Sequence, residues 1–486
     1  MSANKTRVFL KGVSVTSIFT VASGVLGLVY FSVMSRLLTK EDFGYFAALT
    51  GIMAVVGVFS EGGIGATIIQ KKDPTKSFIS TAFTLSLLMG LGCFMVIFMG
   101  APFFANLVAD DYLTTPIRVM AISLLTSPFI SVGRAQLYRN LQFTRIGAAN
   151  LISALTAVIT SVVLAYRGYG VFSMISYALT SNLVTCLIFL SLGIRYPRVG
   201  VEKQHVKGIV SFGGWLTLSD MFNKMASLLD RLVLPKLTSI KVLGEYTRPS
   251  SFLFNMSGTI SDVIDRVLFP MLSKSQDEHE AMRSVFYRAI ELLNTFSIIL
   301  TVVFFFNARL IISIFFGTEW LSLTRVLQIL SLTMIFQIDN QLTDCFFRSL
   351  NLVRTGFYMR VIFFISVFVA IVVGAKFGVV GIATAVAITN IGVVFLRMIV
   401  LGNMMAADQG IMLYRWLKAW KAAIIPVLIG VSFIFLPHSL MNEIFCAIIM
   451  AGAILTEMFL FPKFVGEEYR ILVAPILSKF HIKSIY

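Results

Sequence analysis

Fourteen apolar runs, each of about 17–25 residues, follow one another along almost the whole chain. They lie near 12–34, 44–68, 78–100, 116–137, 147–166, 171–193, 210–235, 244–270, 286–308, 321–347, 355–375, 379–402, 416–437 and 443–461. Few folds accommodate that pattern. A run of this length spans a bilayer as a helix, because in lipid each backbone N–H and C=O has to be satisfied within its own segment. Composition agrees: 57% of the 486 residues are hydrophobic and 13% charged, against about 45–50% and 25% in soluble domains. The expected fold class is an all-α polytopic membrane protein with fourteen transmembrane helices. The first run is longer than the h-region of a signal peptide and no small-residue cleavage pattern follows it, so it reads as a retained span.

The net charge of +16 invites a nucleic-acid reading, and its placement argues against one. The N-terminal segment, the even-numbered connections and the C-terminal tail hold 26 Lys and Arg, including Lys71, Lys72, Arg139, Arg348, Arg397, Arg415 and Lys418. The odd-numbered connections hold 8. The positive-inside rule then places both termini in the cytoplasm. The excess charge reads as topology, with no nucleic-acid partner. The cysteines Cys93, Cys186, Cys345 and Cys446 are scattered among the spans, and the four histidines lie in connections or the tail. Neither disulfide nor metal spacing is present, so no metal and no bound cofactor is expected.

Internal similarity organises the chain further. RNLQFTRIG at Arg139–Gly147 matches RSLNLVRTG at Arg348–Gly356 at an offset of 209. GVFSMISYALTSN from Gly170 matches GVVGIATAVAITN from Gly378 at 208, and LLTKEDFGYF from Leu37 weakly matches KLTSIKVLGEYT from Lys236 at about 200. The order implies two six-helix bundles, residues 1–200 and 201–405, with two more transmembrane helices and a cytoplasmic tail in 406–486. Six spans per copy is even, so the copies share an orientation and a pseudo-two-fold axis along the membrane normal is expected.

SRLLTKEDFGYFA at Ser35–Ala47 and FSEGGIGATIIQKKD at Phe59–Asp73, with the linker at Arg139, carry a family resemblance. The chain resembles the multidrug/oligosaccharidyl-lipid/polysaccharide exporter superfamily, in its polysaccharide-transport branch of Wzx-type flippases. It departs at Lys40, where relatives commonly have Pro, and at Glu61, where Asp is frequent. The resemblance implies a bacterial inner-membrane flippase for an undecaprenyl-diphosphate-linked oligosaccharide, acting in lipopolysaccharide, capsule or exopolysaccharide assembly. The implied partners are the lipid-linked oligosaccharide, membrane lipid and other polysaccharide-assembly proteins.

Charges inside the spans are the candidate site. Intramembrane ionisable groups face cavities or partners. In the seventh span Asp220, Lys224, Ser227 and Arg231 are spaced 4, 3 and 4, one face of a continuous helix. Arg248, Asp262 and Arg266 share the eighth span; Gln337, Asn340 or Gln341, and Asp344 form a stripe in the tenth, with Arg325 nearer its outer end. Arg and Lys suit a diphosphate cargo, Arg by bidentate contacts and Lys as a point charge. Lys224, Arg231, Arg248, Arg266, Arg325 and Arg134 are therefore the expected cargo cations. Asp220 with Lys224, and Asp262 with Arg266, equally fit structural pairs, and Arg134 equally fits positive-inside usage. Glu61 reads as a buried carboxylate without a local cation. With Asp339 it is a candidate for proton or sodium coupling, and Asp220 and Asp262 are further lumen acids. Arg36 is expected to pair locally with Glu41 or Asp42. The open alternatives are a cation-coupled multidrug antiporter of the same superfamily and, less favoured, a membrane polymerase or ligase, which the short outer connections argue against. No enzymatic centre is expected.

Overall fold

A computed structural model describes residues 22–192, 200–210, 228–264, 279–350, 352–437 and 439–460, except 72, 73, 109 and 141, with isolated residues 19, 217, 221, 224, 225, 268, 272, 465 and 469. Every regular element among them is helical. The chain divides into two units, Met1–Gly244 and Glu245–Tyr486.

In the first unit, α1 (Ala22–Leu37) and α2 (Lys40–Glu61) are joined by Leu38 and Thr39 alone. Thr39 starts α2 with a reciprocal cap: its Oγ1 accepts from the Asp42 amide at 3.2 Å, and Asp42 Oδ2 accepts from the Thr39 amide at 3.0 Å. Such caps stabilise a helix by about 1 kcal/mol. Asp42 is thereby engaged in the cap, Glu41 pairs with Lys241 at 3.9 Å, and Arg36 donates to Ser32 Oγ at 2.8 Å. Gly62 and Gly63, at φ 54° and 63°, break the second span in left-handed conformation before α3 (Ile64–Gln70) resumes it. A β-carbon in that region is disfavoured, which explains the paired glycines.

Thr75 caps α4 (Lys76–Leu107), accepting from the Phe78 amide at 3.1 Å. Next come α5 (Thr114–Ala121) and α6 (Ser123–Arg139), one span interrupted at Ile122. α7 (Phe143–Tyr166) and α8 (Val171–Ser191) pack together through Ala149, Ser153, Ala157, Ser161 and Ala165, a buried small residue at every fourth position. Without a hydrophobic drive between helices in lipid, small residues allow close approach and hydroxyls add hydrogen bonds. Thr185 donates to Ser153 Oγ at 2.8 Å and Ser161 to the Ser173 carbonyl at 2.6 Å. α9 (Leu229–Leu237) and α10 (Ile240–Val263) follow, and the unit boundary falls inside α10.

The second unit continues with α11 (His279–Phe306), α12 (Ala308–Phe315), α13 (Thr324–Ser331) and α14 (Thr333–Ser349), the last two interrupted at Leu332. Then come α15 (Val353–Ala375), α16 (Gly378–Met404), α17 (Gln409–Lys418), α18 (Ile424–Ile434) and α19 (Leu440–Leu460). Its core gathers Phe286, Phe346, Met398, Trp416 and Met450.

Among the described residues eleven spans are long and apolar enough to cross a membrane: α2, α4, α5–α6, α7, α8, α11, α13–α14, α15, α16, α17–α18 and α19. Of the fourteen expected, the first and seventh lie partly outside the described residues. The eighth, α10, has 24 residues but carries Lys241, Glu245, Arg248 and Asp262.

Some local geometry recurs at a spacing close to that of the expected repeat. α5 and α13 have eight residues each, α6 and α14 seventeen each, and both pairs start 210 residues apart. Asn140 (φ −84°, ψ 7°) and Leu350 (φ −86°, ψ 7°) end α6 and α14 alike, and Gln142 and Leu352 donate back to Leu137 and Phe347 at 2.9 and 2.8 Å. The structural register is therefore 210, one residue away from the 209 of the motif. Gly170 and Gly378, both at positive φ, keep the expected 208. At an offset of 200, Gly44 and Gly244 cross: a Cβ on Gly44 would overlap the Ile240 carbonyl oxygen, and one on Gly244 the Lys40 carbonyl oxygen.

Candidate functional site

In the first unit, α9 begins only at Leu229, because Leu228 (φ −123°, ψ 14°) leaves the helical region. Lys224 and Arg231 are thus not on one uninterrupted helical face, which corrects the spacing argument. Lys224 is exposed, and Asp220 and Ser227 lie outside the described residues. Arg231 reaches across to α2, donating through Nη1 to Thr50 Oγ1 at 2.9 Å. Its stem lies on Gly51, where an added Cβ would come within 3.0 Å of Arg231 Cβ. The neighbouring Asp230 accepts from the Arg231 amide at 2.9 Å. Glu61 ends α2 and is exposed, which corrects the expectation of a buried carboxylate, since the glycine turn ends the helix there. Arg134 on α6 is exposed as well.

The second unit holds a denser constellation. Asp339 on α14, 0% exposed, accepts from Asn294 Nδ2 of α11 at 2.9 Å and from the Trp416 indole N–H of α17 at 3.0 Å. Both donors are neutral, and among the described residues no Lys or Arg lies within ion-pair distance of it. Protonating Asp339 therefore breaks no salt bridge. One turn before Asn294, Glu291 (1% exposed) takes Arg415 Nη1 at 2.5 Å and Lys418 Nζ at 2.8 Å, both from α17. Farther along α14, Asn340 and Asp344, four apart on one face, share the guanidinium of Arg397 from α16, and Arg360 of α15 approaches Asp344 at 3.6 Å. Arg397 is 1% exposed, with Phe347 beneath it at 5.8 Å. Three carboxylates thus meet four cations across five helices, with one carboxylate left to neutral donors.

This arrangement revises the tenth-span stripe. Asn340 and Asp344 are engaged by Arg397, and Gln337 Oε1 accepts from Ser257 Oγ at 2.9 Å. Arg397, Arg415, Lys418 and Arg360 are not merely connection charges of topology: each has a carboxylate partner. Sequence reasoning missed Glu291, Asn294, Arg397, Arg415, Trp416 and Lys418 as site residues. A signal existed for three of them, since the charged Glu291, Arg397 and Lys418 sit inside the apolar runs 286–308, 379–402 and 416–437. Arg248 is partly buried on α10. Arg266 and the side chain of Asp262 lie outside what is described. Arg325 is exposed and lines a cavity of about 690 Å³ with Arg309, Glu443, Gln328 and Asn307. Arg309 pairs with Glu443 there at 3.0 Å. Among the described residues no group of His, Cys, Asp and Glu is placed to hold a metal ion.

At the structural offset of 210, Asp339, Asn340 and Asp344 correspond to Phe129, Ile130 and Arg134. Among the described residues the acidic constellation therefore has no counterpart at that spacing in the first unit.

Comparison with known proteins follows the same lines. Residues 33–325 match the profile of a family described as polysaccharide biosynthesis protein. The chain is 23% identical over 473 residues to the teichuronic acid biosynthesis protein TuaB of Bacillus subtilis (strain 168), covering 94% of this chain and 96% of that one. It is 25% identical over 323 residues to the lipopolysaccharide biosynthesis protein WzxC of Escherichia coli (strain K12), where the match spans 66% of each. Its fold resembles the lipid II flippase MurJ in an inward closed conformation, with a TM-score of 0.74, 16% identity, and 95% and 99% of the two chains covered. A multidrug resistance MATE family transporter of the MOP superfamily, inward-facing, aligns with a TM-score of 0.62 and 15% identity over 79% of this chain and 94% of that one.

Proposed function

The chain belongs to the polysaccharide biosynthesis protein family, in the polysaccharide branch of the multidrug/oligosaccharidyl-lipid/polysaccharide exporter superfamily, and from that premise we propose that it is a flippase for an undecaprenyl-diphosphate-linked oligosaccharide. It is a multi-pass membrane protein of polysaccharide assembly, a transporter and not an enzyme. The proposed step carries the lipid-linked glycan from the cytoplasmic to the outer leaflet of the bacterial inner membrane by alternating access, with both termini cytoplasmic. The observation that carries this reading is the conjunction of two near full-length likenesses: a teichuronic acid biosynthesis protein in sequence and a lipid II flippase in fold. A sugar polymer and a flipped lipid meet in one class of cargo, a glycan on a lipid.

In this reading Lys224, Arg231, Arg248, Arg266, Arg325 and Arg134 are the candidate cations for the diphosphate, Lys224 first among them. A guanidinium suits two phosphate oxygens at once and an ammonium supplies a compact charge. Asp339 is the coupling acid, because its only described partners are neutral donors; Glu61, Asp220 and Asp262 are further candidate acids.

The test is a deletion strain assayed for surface polysaccharide and for the leaflet in which the lipid-linked intermediate accumulates. Intermediate trapped on the cytoplasmic side, released by the wild-type chain and not by a Lys224→Ala chain of equal abundance, supports the proposal. Normal polysaccharide together with heightened sensitivity to cationic drugs would instead support a cation-coupled multidrug antiporter, the reading favoured by the likeness to the MATE transporter.

A further inference from the structure

Buried polar atoms that lack a hydrogen-bond partner concentrate on α11. Asn294 Oδ1, Thr301 Oγ1 and Asn307 Oδ1, the last just past the helix end, have none among the described residues. Their residues are 0%, 3% and 5% exposed. In folded proteins nearly all buried polar groups are paired, and those not paired with protein bind ordered water.

These atoms are not scattered. Asn294 and Thr301 are two turns apart on one face, with a rise between them of about 10 Å. Contacts at either end fix what that face looks at. Asn294 Nδ2 donates to Asp339 of α14, and Gln328 Nε2 of α13 donates to the Phe305 carbonyl at 3.3 Å. Interpolated between those two contacts, Thr301 comes level with Leu332, where α13 and α14 are interrupted. Helix breaks of this kind inside a membrane protein are tolerated where polar side chains or water re-satisfy the freed backbone. Here Ser331 and Thr333, both buried, turn their hydroxyls back to the Gln328 and Leu330 carbonyls at 2.7 and 2.6 Å. Beyond Gln328 the 690 Å³ cavity begins, with Thr324 and Asn307 in its wall.

We propose that α11 and the broken helix α13–α14 enclose a file of ordered water that runs from this cavity past Thr301 to the Asp339 carboxylate. Its ligand is water, and the proton that a hydrogen-bonded water chain relays. The charged groups around Asp339 lie at the opposite end of the file: Glu291 on α11, Asp344 on α14, Arg360 on α15, Arg397 on α16, and Arg415 and Lys418 on α17. Among the described residues, Ser257 of α10, a neutral group, bonds to Gln337 of α14. Between Asn294 and Gln328 the polar groups named, Thr301, Ser331 and Thr333, are neutral and set among buried apolar side chains such as Ile298 and Ile335, and the charges in the cavity wall are Arg309, Arg325 and Glu443. That is the lining a proton path needs, because a fixed cation midway would repel the proton. The inference gives the coupling acid of the proposed function its route to bulk water.

The test reads water access and not transport, so it stands or falls separately from the flippase reading. Thr301→Cys and Ser331→Cys are made singly in the full-length chain with Cys93, Cys186, Cys345 and Cys446 replaced. Each is reconstituted in vesicles and exposed to Ag⁺, a thiol probe small enough to follow water. Thiols that survive are counted with a maleimide after denaturation. Ile299→Cys is the reference, since Ile299 is buried on α11 and faces away by about 200° from Thr301. Both thiols on the file are expected to be lost at least about tenfold faster than the reference, which waits for local opening. Rates equal to the reference at both positions overturn the file. Reaction at Ser331→Cys alone also overturns it as drawn, since water would then reach the helix break but not α11. If Thr301→Cys does not fold, Thr301→Ser paired with Ile298→Cys repeats the reading one turn earlier on the same side of α11, again with loss equal to the reference as the overturning result.

Discussion

Arg397 on α16 closes on Asp344 of α14 as a buried ion pair, and the same guanidinium donates to Asn340 one turn earlier. Both acceptors sit on one face of α14, so a single planar group with several N–H donors satisfies them together. Breaking a buried pair from one side destabilises by about 3–5 kcal/mol because the remaining charge is stranded. Arg360, at 3.6 Å from Asp344, leaves that carboxylate a second cation. Arg397→Met is therefore expected at the lower end of that range, as a reduced melting temperature in detergent. Arg397→Lys should recover only part, since one ammonium replaces a two-armed contact. Adding Asp344→Asn to Arg397→Met should recover more than Arg397→Lys does.

Glu291 is the anchor by which α17 is held to α11. It is 1% exposed and takes two cations, Arg415 and Lys418, which are 30% and 21% exposed. Glu291→Gln leaves one weak acceptor for both, at an expected loss of about 1–3 kcal/mol. The readout is tryptic cleavage of the folded protein after Arg415 and Lys418, which should accelerate while cleavage in the first unit stays unchanged.

Asp339→Asn replaces two acceptor oxygens with one oxygen and one amino group. Asn294 and Trp416 both donate to this side chain, so the new amino group is set against one of them. A mismatch in a buried site destabilises by about 1–3 kcal/mol. If Asp339 is the coupling acid, polysaccharide output in the complemented deletion strain falls to background with the protein still in the membrane. Trp416→Phe removes one donor and keeps the carboxylate, and should lower stability with output retained.

Gly44 and Gly244 have room for hydrogen only. Inserting even one methyl at such a crossing forces the backbones apart, typically destabilising by about 1–3 kcal/mol. Gly44→Ala and Gly244→Ala should each lower the melting temperature, whereas Gly57→Ala, with nothing near its Cβ, should not.

The helical class and most spans were legible because hydropathy over twenty residues reports the solvent directly. The site was less legible, because pairing is decided between helices. Asp339 was readable as an acid in an apolar run, but its neutral donors Asn294 and Trp416 come from elements 45 and 77 residues away. Arg397 was legible as a charge and misassigned, because near the end of a run it looks like a topology signal. The expected face joining Lys224 to Arg231 failed at Leu228, where no Gly or Pro announces the break. The expected repeat shows the opposite imbalance. Its best motif, at Arg139 and Arg348, is one residue out of structural register, and its weakest marks the glycine crossing.

That crossing has an evolutionary consequence. Gly44 and Gly244 stand 200 residues apart, the offset expected of a repeat, and each lies against the residue 200 positions from its own fourth preceding one, Ile240 and Lys40. After a duplication, equivalent positions are usually free to diverge, because one copy can drift while the other keeps the ancestral residue. If these two glycines descend from such a duplication, neither can drift, since an alanine at either position collides with the backbone at the other. A homologue that has lost one of these glycines should have lost both, and with them the close approach of the two helices.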